Sequence, residues 1–164
     1  MNEIAEKLEN ATKKTLFGKK PVFNKTGDFK ESDLETVSKQ VPILIPESFV
    51  SWLRLIGYGQ INGELSIEPH WMSVRDSEFG PLAGSLSFAQ DEFGNYLALN
   101  PSENWNVYYI CHDPAGIALL SNSFESVISQ LSEVGFSVGK LTERLEIDED
   151  GLENGWFYDE HAQV

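Results

Sequence analysis

Residues 85–99 read SLSFAQDEFGNYLAL, and this stretch decides the fold. Ser85-Leu86-Ser87-Phe88 alternates polar and apolar side chains, the period of a strand with one wet face. Tyr96-Leu97-Ala98-Leu99 is a second strand-like run. Between them, Asp91-Glu92-Phe93-Gly94-Asn95 has the composition of a turn, so the whole reads as a β-hairpin. Asp91 is suited to fix that turn by accepting backbone N–H bonds, and Gly94 by reaching positive φ.

Downstream, Val107 to Cys111 forms another strand. Asp113-Pro114-Ala115-Gly116 sets Asp, Pro and Gly where a type I turn favours them, and Ile117 to Leu120 returns. Asn122-Ser123-Phe124-Glu125 has capping-box spacing and opens a helix with Phe124, Val127, Ile128 and Leu131 on one face, ending near Gly135. Upstream, Gly63-Glu64-Leu65-Ser66-Ile67-Glu68 alternates as a strand. A helix over Glu47 to Ile56 lines up Phe49, Val50, Leu53 and Ile56, with Pro46 in its first turn and Gly57 and Gly59 at its end. Trp52, on the flank of that face, reads as core. A further helix opens at Ser32-Asp33-Leu34-Glu35 and runs to about Gln40.

Residues 2–14 place Ile4, Leu8 and Ala11 at helical spacing, and residues 18–30 read as a connecting loop. The expected fold is therefore α+β, with an antiparallel-rich sheet of about five strands in a meander, flanked by helices. Its parts are an N-terminal helix and linker (1–30), a core domain (31–139) and an acidic C-terminal extension (140–164). That extension carries eight acids against two bases and also Trp156, Phe157 and Tyr158, so part of it is expected to dock on the body or on a partner.

Charge narrows the function classes. The formal net charge is −14. Residues 1–40 hold eight Lys against seven acids, whereas residues 41–164 hold four bases against nineteen acids. Such a body repels phosphates and anionic membranes and attracts basic proteins, so no direct nucleic acid or membrane partner is expected. With one cysteine, no secretory signal and no long apolar run, the expected compartment is the cytoplasm.

Catalytic chemistry is sparse. Cys111 and His112 are neighbours on a strand and point to opposite faces, so they do not pair as nucleophile and base. His70, His112 and Asp113 lack a metal-ligand spacing, and Asp148-Glu149-Asp150-Gly151 departs from the calcium-loop pattern and reads as a charge run. No enzyme activity, metal or cofactor is expected.

The order of these segments resembles the SUKH superfamily, which includes yeast cell-wall synthesis regulators and many bacterial immunity proteins of polymorphic toxin systems. The resemblance rests on Leu44-Ile45-Pro46-Glu47-Ser48-Phe49 between two helices, Gly57-Tyr58-Gly59, Asn62-Gly63, Phe88 to Tyr96, Val107 to Asp113 and the helix start Ser123-Phe124. It covers about residues 30–135. The chain departs from the usual pattern in its N-terminal extension, its single Gly63 where a Gly pair is common, and its long Asn62 to Leu86 stretch. The resemblance implies an α+β domain without enzymatic activity, whose bacterial members bind and neutralise a cognate toxin, often a nuclease or deaminase.

Combined with the charge, this predicts a cognate toxin with a basic surface as partner. The predicted partner-binding residues are Glu64, Glu68, Asp76, Glu78, Glu92, Glu103 and Asp113, with Trp71 and Trp105 as aromatic anchors inside a polar rim. The alternative is a regulatory scaffold in an intracellular assembly without a toxin.

Overall fold

The computed structural model describes residues 1–40, 44–74, 82–113 and 115–149. The central hairpin pairs β7 (Leu86–Asp91) with β8 (Tyr96–Asn100). Around it lie, in chain order, α1 (Asn2–Asn10), β1 (Thr12–Thr15), β2 (Gly18–Pro21), β3 (Phe23–Gly27), α2 (Glu31–Gln40), α3 (Glu47–Ile56), β4 (Tyr58–Ile61), β5 (Leu65–Ile67) and β6 (Ser73–Val74). Then follow β9 (Asn106–His112), β10 (Ala115–Ser121), α4 (Phe124–Glu133) and α5 (Val138–Thr142). No described helix is long and apolar enough to cross a membrane.

The α+β class stands, but the sheet has eight strands, in the order β10-β9-β8-β7-β5-β4-β3 with β6 also on β7, rather than about five. All its pairings are antiparallel. The surplus comes largely from segments expected to be loop. Residues 18–30 hold β3, an edge strand on β4 in which only Phe23 is buried, and also β2, which pairs with β1 outside this sheet. A lysine-bearing edge strand with one inward side chain shows almost no alternation, so its sequence resembles a linker.

Other boundaries move for local reasons. The first helix stops at Asn10, and Thr12 begins β1. In α2 the Lys30 N–H donates to the Asp33 carboxyl (3.0 Å), so the helix starts at Glu31 and Ser32 lies inside it. Gly57 does end α3, at φ 75, but Gly59 belongs to β4. The run 63–68 is instead a turn at Asn62 and Gly63, both at positive φ, followed by the short β5. The cap of α4 is Ser123, whose hydroxyl accepts from the Ser126 N–H (3.2 Å), one residue past the expected Asn122.

Helices cover one face of the sheet. Phe49 and Trp52 of α3, Phe88 of β7 and Phe124 of α4 are fully buried, with ring centroids 5.2 to 6.4 Å apart; Phe124 meets the other three edge-on, and Phe49 and Phe88 are tilted at 58°. Trp52 is thus core, as expected. Burying each such side chain contributes roughly 1.5–3 kcal/mol. Leu82, Ala98, Ile110 and Ile117 form a smaller cluster, with Tyr96 and Tyr108 packed against it. At the β10 edge, the Asp148 N–H donates to the Ile117 carbonyl (2.8 Å) and the Ile117 N–H to the Asp148 carbonyl (3.1 Å). Leu145 and Ile147 pack partly against the core. The first part of the acidic extension therefore docks on the body, while Trp156, Phe157 and Tyr158 lie outside the described residues.

Candidate protein-binding site

Antiparallel order sets which loops share an end of the sheet. Because Leu65 pairs with Asp91 and Tyr96 with Ile110, the β4–β5, β7–β8 and β9–β10 turns gather at one end. The β8–β9 turn lies at the other.

At the first end the β7–β8 turn is locked from inside. Asp91 is 7% exposed. One of its carboxyl oxygens accepts from the Phe93 and Asn95 N–H groups (both 2.9 Å), and the other from Asn95 Nδ2 (3.0 Å) and the Tyr109 hydroxyl (2.6 Å). Asn95 Oδ1 in turn accepts from the His112 N–H (3.2 Å) and lies 3.0 Å from His112 Nδ1, which ties the β9–β10 turn to this one. Gly94 sits at φ 87, with the His112 ring 3.3 Å from where a Cβ would stand. The expected turn-fixing roles of Asp91 and Gly94 hold. Burial, then the Asp91 partner, push the Tyr109 phenol above its ordinary value, so it stays a donor.

This scaffold holds Phe93 at the apex of the turn, 70% exposed, with Glu92 exposed beside it. Below them opens a cavity of about 290 Å³ lined by Glu64, Asp91, Tyr109, Val138 and Thr142 among others. Glu64 is turned inward across it. Its carboxyl accepts from Asn62 Nδ2, the Ser137 hydroxyl (2.9 Å) and the Gly139 N–H (3.2 Å), and its carbonyl accepts from the Glu92 N–H (3.0 Å). Glu64 thus clamps α5 onto the sheet.

The predicted binding residues do not converge on one surface. Glu64, Glu92 and Asp113 share the end just described. Glu68 accepts from the Thr26 hydroxyl (2.7 Å) beside β3. Glu103 accepts from the Tyr108 hydroxyl and, at 3.3 Å, from Asn106 Nδ2, at the opposite end. Trp105, in the same β8–β9 turn at φ 64, packs partly into the core. Trp71 is half-buried against His70 and Tyr96, with ring centroids 4.3 and 6.3 Å away. Asp76 and Glu78 lie outside the described residues.

Phe93, the exposed side chain at the apex of this turn, is not among the predicted binding residues. It is a large apolar side chain in a turn whose other positions are Asp, Glu, Gly and Asn, a composition that does not by itself say whether the ring packs inward or is held out. Cys111 is buried, and burial raises its thiol above the ordinary value. Among the described residues, no group of three or more His, Cys, Asp or Glu is placed to hold a metal ion.

The family model described as SMI1 / KNR4 family (SUKH-1) matches residues 29–130, from just before α2 through most of α4. No curated protein and no solved structure matches the chain significantly.

Proposed function

The chain belongs to the SMI1 / KNR4 family (SUKH-1), a family that is generally non-catalytic, and from that premise we propose that it is an immunity protein. It binds and neutralises a cognate toxin with a basic surface, through the end of the sheet that carries Phe93, Glu92 and Asp113. The observation that carries this reading is the locked turn. An exposed aromatic on a preorganised backbone, rimmed by carboxylates, loses little conformational entropy on binding and has the composition of an interface anchor. The surrounding charge, within a chain of net −14, steers a cationic partner toward this end and sets association rate more than affinity.

The test is to co-express the protein with the toxin encoded beside its gene, and to measure both host survival and complex formation. Protection and a stable complex are expected. Phe93→Ala should weaken binding by at least about tenfold, and Glu92→Lys with Asp113→Lys should slow association while leaving dissociation nearly unchanged. A complex that forms equally well with all three side chains changed would remove this end as the interface. If native-host partners captured on the protein include no toxin, the chain is instead a scaffold in another assembly.

A further inference from the structure

Between Asn10 and Asp28 the chain has five lysines and no acid, on a protein that is otherwise strongly acidic. Most of this stretch is a two-stranded ribbon, β1 paired among the described residues with β2 alone, in the register Thr12↔Pro21 to Thr15↔Gly18. At its tip, Leu16 is 98% and Phe17 96% exposed. The turn is ordered: the Thr15 hydroxyl donates to the Gly18 carbonyl (3.0 Å) and accepts from the Phe17 N–H (3.3 Å). The base is fixed too, by Val22 N–H to Ala11 carbonyl (2.9 Å) and by Lys13 Nζ to the Asn62 carbonyl (2.5 Å). An ordered basic arm thus presents two adjacent large apolar side chains to water, an arrangement that marks an interaction surface.

At the base of this arm lies an open cavity of about 570 Å³, lined by Ala11, Val22 and Phe136 and, from α1, by Glu3, Glu6 and Lys7. Lys7 is engaged by the Ser132 carbonyl (3.1 Å) and hydroxyl (2.7 Å), which leaves apolar lining for Leu16 and Phe17 and the carboxylates of Glu3 and Glu6 for the neighbouring Lys14 and Lys19. The arm cannot fold back into the cavity at its own root. In a two-fold pair, however, arms of equal length running in opposite directions bring each tip to the other's base.

We propose that this chain forms a two-fold dimer in which the Leu16-Phe17 tip of each copy seats in the cavity between α1 and the arm base of the other. The contact is tip-in-cavity, because direct edge-to-edge pairing of the two ribbons would set lysines against lysines. A nucleic acid or anionic membrane is the poorer occupant, since it meets the lysines together with a body whose residues 41–164 carry four bases and nineteen acids. Another copy offers Glu3 and Glu6 where the lysines arrive. This pairing uses none of the residues proposed to meet the toxin, so either reading can fail alone.

Sedimentation velocity on the full chain, over a concentration series at low and high salt, tests the proposal. A concentration-dependent monomer–dimer equilibrium that weakens with salt is expected. Leu16→Asp with Phe17→Asp should raise the dissociation constant at least about tenfold without changing the circular dichroism spectrum. Lys14→Glu with Lys19→Glu, and separately Glu3→Lys with Glu6→Lys, should each weaken the dimer, and combining all four changes should restore it. A chain that stays monomeric throughout, a dimer indifferent to the tip, or charge reversals that fail to rescue one another would overturn the proposal. So would a monomer that binds phosphatidylserine vesicles through the same tip.

Discussion

At Asp91 a single side chain holds a loop, a hydroxyl and a neighbouring strand in register. Asp91→Ala would strip the acceptor from Phe93 N–H, Asn95 N–H, Asn95 Nδ2 and the Tyr109 hydroxyl, leaving buried donors unpaired. A loss of about 3 kcal/mol in urea unfolding is expected, together with loss of the Phe93 presentation on which the proposed binding rests. Tyr109 makes the same network sensitive to base. Its folded-state phenol is raised, by burial first and Asp91 second, whereas the unfolded chain releases that proton near pH ~10. Its contribution is therefore complete below about pH 10 and declines as pH climbs toward the folded value. Tyr109→Phe should cost about 1 kcal/mol at neutral pH and flatten the alkaline loss of stability. Tyr58, buried and bonded to Asp33 (3.0 Å), adds to the same alkaline loss, so flattening should be partial. The turn-fixing roles of Asp91 and Gly94 were legible because Asp and Gly serve turns through their own backbone chemistry. Phe93 was not, because nothing local in a sequence tells whether an apolar turn residue packs inward or is held out.

β5, β7, β8, β9 and β10 announced themselves by apolar or alternating runs, although β7 has no wet face, Ser87 being as buried as Leu86 and Phe88; β3, with one buried residue, did not. In β3 the single inward side chain, Phe23, lies across Gly59 of β4, so a Cβ on Gly59 would stand 2.6 Å from the Asn24 carbonyl oxygen and 2.7 Å from the Phe23 ring. Gly59→Ala should therefore detach the edge more than the core. We expect a loss of roughly 2–3 kcal/mol and a selective rise in amide exchange over β3, with β7 to β9 little changed. Uniform acceleration across the sheet would show that β3 is integral to the cooperative unit. The far edge follows the same logic. A Cβ on Gly116 would meet the Ile147 side chain at 2.2 Å. Gly116→Val should push residues 145–149 off β10, read as faster exchange at Ile117 and Asp148. Neither close approach is visible in sequence, where both glycines look like turn residues. Knowing what lies opposite them requires the register.

Over the molecule as a whole, the tally of charge was readable and its placement was not. A sequence states that acids outnumber bases by 26 to 12, yet only the strand order reveals that Glu92 and Asp113 share one end while Glu103 occupies the other. Only three ion pairs join described residues, Lys25–Asp28, Arg54–Glu31 and Arg54–Glu47, and all are substantially exposed. Exposed pairs add little stability, so the excess of acids over bases is expected to leave net like-charge repulsion within the free protein. Salt shortens the reach of that repulsion to about 8 Å at physiological ionic strength. It also screens the attraction toward any cationic partner. One change in conditions should therefore move two observables in opposite directions. Raising salt from low to physiological strength should increase the melting temperature of the isolated protein by about 2–4 °C, the shift that roughly 1 kcal/mol produces in a domain of this size, while slowing association with the proposed toxin partner and loosening the proposed dimer. A melting temperature that falls with salt would mean that attractive pairs outweigh repulsion, and the steering assigned to the acidic end would then lose its physical basis.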